Sequence, residues 1–184
     1  MKSRIGMLLL LSVLALFTYA CAVRTPVQHS APPDTERLRS ISVILREFKT
    51  APNVLNGEMA MVQCKSAARG YLQTKSLFEK VEDNLSPNLT GAALLVDATL
   101  TDLRLVTGAT RFWAGAMAGR SHMKVLVKIS DQHGKQIGQQ ELFGAPNAMG
   151  SAWSFGQSDR DLPNAMGCLI GDYIIAESAK LKLE

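Results

Sequence analysis

Only three histidines are spread through the 184 residues, and none has a spacing to a carboxylate that suits a metal. His29, His122 and His133 belong to no HExxH motif, and no CxxC pair accompanies them. They read as three solvated side chains. The serines carry no more: there is no Gly-x-Ser-x-Gly elbow, and Ser151 and Ser154 have no visible base partner. No Lys-Ser/Thr follows the glycines, which argues against a phosphate cradle. Basic residues do not cluster, so nucleic acid is not an expected partner. No catalytic residue, metal ligand or cofactor site is predicted, and the chain is expected not to be an enzyme. Long apolar runs are also scarce. The one present, Ile5 to Ala20, falls short of the roughly 20 residues that a membrane span needs.

That run carries the most information. Lys2 and Arg4 precede it, Met7-Leu8-Leu9-Leu10-Leu11 forms its heart, and it ends in Thr18-Tyr19-Ala20-Cys21. A basic start, a short apolar stretch and a small residue at the cut describe a secretory signal peptide. A cysteine just after the cut resembles the bacterial lipobox, whose thiol is acylated to become the new N-terminus. Thr18 stands where that box usually has Leu, and Tyr19 is bulky. Cleavage after Ala22 is an alternative, because Ala20-Cys21-Ala22 is also an A-x-A pattern, and it would release a soluble periplasmic protein. A retained N-terminal anchor is the third reading. Acylation at Cys21 would give the chain a membrane partner through its lipid. Ala22, not Asp, follows the cysteine, which resembles an outer-membrane address facing the periplasm.

Removing residues 1–20 takes Lys2 and Arg4 and leaves 18 basic against 16 acidic residues on 164 positions. That length suits one domain. Cys64 and Cys168 remain, each in a segment that reads as helical. An oxidising compartment favours a disulfide between them, and closing so long a loop would contribute about 4–5 kcal/mol on a chain-entropy basis. The competing reading is two small buried core residues.

Residues 21–38, with Pro26, Pro32 and Pro33, read as a flexible tether. A single domain spans 39–184. Ile41 to Phe48 alternates as a strand, with Ile41, Val43 and Leu45 on one face and Ile44 and Phe48 on the other. From Gly57 to Gln73, Met61, Cys64, Ala68, Tyr71 and Leu72 form a helical stripe. Strands are expected at 76–81, 93–106, 121–131 and 135–143, with a hairpin turn at Gln132-His133-Gly134-Lys135. A last helix runs from about residue 158 or 161 to 180, with Ala165, Cys168, Leu169, Ile175 and Ala176 as its buried side. The order β-α-β-β-β-β-α describes an α+β domain: a mixed sheet of about five strands with two main helices on one face.

Two constellations remain. Strand alternation points Asp97 and Asp102 to opposite faces, which separates them, and Asp159 and Asp161 serve a helix N-terminus. The segment 108–120 is rich in small residues, with Phe112 and Trp113 between Arg111 and Arg120. Its Gly115 and Gly119 have the small-xxx-small spacing that permits close backbone approach. It reads either as a loop closing over the sheet, with Phe112 and Trp113 in the core, or as an exposed aromatic patch for a partner.

Val96-Asp97-Ala98-Thr99-Leu100, the segment 108–120, the strand Val125-Leu126-Val127-Lys128-Ile129-Ser130-Asp131, the His133-Gly134 turn and a final helix together resemble the bacterial lipoproteins of domain-of-unknown-function family 4410. The likeness spans roughly 40–180. That family supplies no activity or catalytic residues. Its layout is similar to curli secretion channel subunits, penicillin-binding-protein activator lipoproteins and the TolB N-terminal domain, which implies protein binding or ring assembly. The expectation is therefore a lipid-anchored envelope module that contacts another envelope protein or itself. The alternative is a periplasmic carrier of a small apolar ligand or lipid.

Overall fold

The structure is a computed structural model that describes residues 23–27, 35–84, 91–146, 157–178 and 180. Cys21, the expected signal peptide, His29, Ser151 and Ser154 lie outside the described residues. The elements in chain order are β1 (Val23–Arg24), α1 (Thr35–Leu38), β2 (Ile41–Thr50), α2 (Glu58–Lys75), β3 (Lys80–Glu82) and β4 (Ala92–Arg104). They continue with α3 (Gly108–Ala114), a 3-10 turn (Gly115–Ala118), β5 (His122–Asp131), β6 (Gln136–Ala145), α4 (Gln157–Arg160) and α5 (Leu162–Ser178).

The six strands form one sheet in the order β1-β6-β5-β4-β2-β3. β2 pairs in parallel with β3 and β4, and the remaining neighbours are antiparallel. Strand alternation decides which face is buried. Ile41, Val43 and Leu45 join Leu94, Val96, Ala98 and Leu100 and the odd-numbered positions of β5 from Met123 to Ile129 on one face. Both long helices cover that face. α2 contributes Ala60, Met61, Cys64, Ala68 and Leu72, and α5 contributes Met166, Ile170, Tyr173 and Ile174. The expected mixed α+β sheet with two main helices on one face is the observed architecture. The sixth strand is the two-residue β1.

The opposite face is not covered by these helices. Ile44, Ala93 and Leu95 form a small second buried cluster at its β2/β4 N-terminal end, and the rest is largely polar, with Leu126 and Phe143 among it.

Three details differ from the pattern read in the sequence. First, the expected tether is partly docked. Val23 pairs with Ala145 and Arg24 with Gly144, the Thr25 N–H donates to the Phe143 carbonyl at 2.9 Å, and Val27 packs against the core. β6 would otherwise end the sheet with unpaired backbone groups, which attract any nearby extended chain. Second, a bulge between Leu45 and Phe48 sets two residues against Asp97. It returns Phe48 to the helix-covered face, where it packs on the main core instead of pointing away. Third, Ala165, Cys168 and Ala176 of α5 are only partly buried, while Met166, Gly167, Ile170 and Tyr173 are buried. A helix apolar nearly all round does not declare its core side by periodicity.

Candidate functional site

Two surfaces stand out. The first is the sheet face that no helix among the described residues covers. The β2 bulge presents Arg46 and Glu47 side by side there. The Arg46 guanidinium donates to Asp97 through Nε, at 3.1 Å to Oδ1, and through Nη2 to Oδ2. The Glu47 N–H also points to Asp97 Oδ1 at 3.4 Å. Lys128 lies directly across from Asp97 on β5, and Gln139 across from Lys128 on β6. Together with Lys49, Thr99 and Leu126 these residues line a shallow cleft of about 390 Å³.

Further along the same face, Asp102 Oδ2 lies 3.0 Å from His122 Nε2 and 3.9 Å from Lys124 Nζ. The sequence places Asp97 and Asp102 on opposite faces. A second bulge, between Leu100 and Asp102, brings them to the same one. Four strand steps still separate them, roughly 13 Å, too far to act on one atom. His122 is not simply solvated either: its ring also stacks on Phe143, with centroids 6.3 Å apart. A histidine oriented by a carboxylate needs a nucleophile to become a catalytic dyad, and among the described residues no hydroxyl or thiol hydrogen-bonds to its other nitrogen. No cluster among the described residues could hold a metal ion.

The second surface is the excursion between β4 and β5. The Thr107 hydroxyl accepts from the Thr110 N–H at 3.2 Å, capping α3. The chain then tightens into the 3-10 turn and leaves it at Gly119, with φ of +86°. Only glycine takes that conformation without strain, and the Arg104 guanidinium lies over the same spot. The base of the excursion is closed by the Val106 N–H donating to Ser121 Oγ at 2.8 Å, both residues being buried. Replacing Ser121 with alanine leaves that N–H unpaired. The expected cost is about 1–3 kcal/mol in chemical unfolding, together with faster amide exchange at Val106.

The segment does not fold its aromatics inward. Phe112 is 64%, Trp113 85% and Met117 94% exposed, and the two rings meet edge to face at 5.2 Å. The reading of Phe112 and Trp113 as core is thus overturned. The helix between β4 and the 3-10 turn has only seven residues, too short to reach back over a face that α2 and α5 already cover. Arg111, Gly115, Gly119 and Arg120 all lie on this excursion, and Arg120 is exposed.

Cys64 and Cys168 are free thiols on the facing helices α2 and α5, Cys64 buried and Cys168 half-buried. Burial, and to a lesser degree the neighbouring Cys168, push the Cys64 thiol up to about 12. Among the described residues no helix is long and apolar enough to cross a membrane.

Residues 55–149, just over half of the chain, match the model of a domain of unknown function, DUF4410. The chain belongs to the DUF4410 family. The matched stretch runs from the start of α2 past the end of β6 and contains both the Phe112–Trp113 excursion and the His122 pair. No curated protein matches the chain. Among solved structures, two of PelC from Paraburkholderia phytofirmans, both described as dodecamers, are similar. Their TM-scores are 0.46 and 0.45 at 14% and 10% identity, covering 88% and 89% of this chain and 98% and 99% of theirs. A minor lipoprotein from Acinetobacter baumannii is similar at a TM-score of 0.41 and 13% identity, over 77% of this chain and 93% of its own.

Proposed function

We propose that this DUF4410 chain is an exported, lipid-anchored domain of the bacterial envelope that docks another envelope protein or a second copy of itself and performs no chemistry. Acylation at Cys21, on the periplasmic side of the outer membrane, would fix its position. The leader before Cys21 supports the address, and cleavage after Ala22 would leave the same domain soluble in the periplasm. The observation that carries the docking role is the one-sided sheet. One face is filled by α2 and α5, and the other offers a charged cleft built by a strand bulge.

The Arg46–Asp97 pair, Lys128 and Gln139 form a row of hydrogen-bonding groups across the neighbouring strands β2, β4, β5 and β6, of the kind that sets partner choice and register more than raw affinity. Of the residues that line that cleft, only Leu126 is apolar by type, which favours a partner with polar groups to pair. The sheet–helix interior, meanwhile, is filled by fully buried side chains such as Met61, Leu94, Met123 and Ile129.

A photo-crosslinker at Gln139, in cells, is expected to give one discrete adduct that Lys128→Glu removes, while a crosslinker at the exposed Gln63 on α2 gives none. Intact mass of the mature chain is expected to show an acylated Cys21 N-terminus. No Gln139 adduct of any kind would defeat the docking role, and a mass with the leader intact would defeat the address.

A further inference from the structure

The large apolar side chains left exposed among the described residues are not scattered. Leu55, Met59 and Val62 lie at the start of α2, and Leu105, Phe112, Trp113 and Met117 lie on the β4–β5 excursion. All of them gather at one end of the sheet. β2 and β4 run parallel and both finish there, with Thr50 opposite Leu100. Gly57 is pressed against the Leu100 and Thr50 side chains with no room for a β-carbon, so the first turns of α2 start from that end. The excursion leaves from Arg104 and returns at His122, which pair with each other at the same end. The opposite end, by contrast, carries the exposed hairpin residues Gln132, His133, Gly134 and Lys135.

The N-terminal chain arrives at the apolar end too. Val23 pairs with Ala145, and Gly144 pairs with Met123 beside Leu103. Cys21 is two residues upstream and cannot be more than about 7 Å further away. The charge at this end is basic. Leu162 and Met166 lie against Gly144 and bring the start of α5 to this end as well, so that Arg24, Arg104, Arg120 and Arg160 are exposed there against Glu58 and Asp161, while Asp102 already faces His122 and Lys124.

We propose that this end of the sheet is the face the domain lays on an anionic lipid surface. Trp113, Phe112 and Met117 enter the boundary between headgroups and acyl chains, and the arginines meet lipid phosphates. Tryptophan favours that boundary, and stable attachment takes two signals, of which an acyl chain is one and a basic or apolar surface the other. The inference rests on the lipid-anchored reading of Cys21 for delivery, and it adds that β1 holds the anchor at the domain rather than on a long free tether. A second copy is the less favoured occupant, because like-charged arginine-rich ends would face each other.

The full chain, purified from membranes as the cell processes it and carrying Trp153→Phe, leaves Trp113 as its one tryptophan. On phosphatidylcholine vesicles containing phosphatidylglycerol, Trp113 emission is expected to shift to the blue. Brominated acyl chains should quench most of it, and iodide should cease to quench it. Arg104→Glu with Arg120→Glu should reverse these changes in a Cys21→Ser background, where the surface acts without the acyl group.

A chain shown by mass to be acylated, yet with Trp113 open to iodide and untouched by bromine, overturns the proposal and leaves the lipid-anchored reading intact. Shielding from iodide without bromine quenching, together with self-crosslinking, assigns the surface to a second copy and also overturns it. If mass shows Cys21 unmodified, the anchored reading fails. Partition of the Cys21→Ser chain onto the anionic vesicles, read by Trp113, then upholds the surface or, if absent, overturns it.

Discussion

Gly167→Ala is expected to lower stability while Gly70→Ala raises it, although both put the same methyl group into a long helix of the same domain. In a helix interior alanine is favoured over glycine by about 1 kcal/mol. Gly70 lies on the exposed side of α2, where an added β-carbon meets nothing within 4 Å, so that gain should appear almost whole. Gly167 lies where α5 crosses α2. A β-carbon there would stand 2.4 Å from the Cys64 carbonyl oxygen, 2.6 Å from the Ala67 β-carbon and 2.9 Å from the Ala68 nitrogen. Two of those three atoms are backbone, which cannot rotate aside.

The helices must separate, and overpacking of this kind costs about 1–3 kcal/mol, occasionally more. Against backbone at 2.4 Å the clash outweighs the propensity gain, and a net loss of about 2 kcal/mol is expected, which lowers Tm by roughly 4–8 °C for a domain of this size. Gly171, one turn on, is pressed in the same way against the Tyr71 ring. Paired thermal melts of the two variants check the argument, and equal shifts in one direction would sink it.

The Gly167–Gly171 spacing shows where sequence reading succeeds and where it stops. Small-xxx-small spacing recurs along the chain, and the copy that draws attention in the sequence, Gly115 and Gly119, is not the one that seats a helix. Which pair lies against another helix is a tertiary fact that spacing does not encode. Strand alternation was readable wherever the ladder is regular: Met123, Val125, Val127 and Ile129 of β5 all face the core as their period of two requires.

Alternation failed at the bulges. One extra residue near Arg46 and one near Thr101 each reverse the side that every later residue takes, and so Phe48 and Asp102 end on the faces opposite to those counted. Both bulges shape the uncovered face, so the candidate cleft was the least legible part of the fold. The exposure of Phe112 and Trp113 was an open alternative for a different reason. An apolar residue in a short segment reads the same whether a core or a partner is its destination.

Stability is also expected to fall as pH rises above about 9, well before the lysines lose their charge. Three groups carry this dependence. Burial, then the neighbouring Cys168, push the Cys64 thiol from its ordinary 9.0 to about 12. Burial, then the Glu177 charge, push the Tyr173 phenol from 10.0 to about 12. Burial, then the hydrogen bond it donates to Asp172, take Tyr71 from 10.0 to about 12.

In each case folding favours the protonated form. The unfolded chain therefore releases these protons first, binds fewer of them than the folded chain between the two values, and gains stability relative to it as pH rises. The stabilising contribution is whole below pH 9, where both states are protonated, and is lost progressively as pH climbs from there toward 12. Denaturant midpoints measured under reducing conditions at pH 8, 9, 10 and 11 should be level over the first interval and fall over the rest. Tyr173→Phe removes one of the three protons without removing the ring from the core, so its curve should fall less steeply than the parent's. Cys64→Ala should move the onset from near 9 to near 10, the ordinary value of the tyrosines that remain. A midpoint flat to pH 11, or a Tyr173→Phe curve parallel to the parent, would mean that these side chains are solvated in the folded chain and that α5 does not seal the sheet as described.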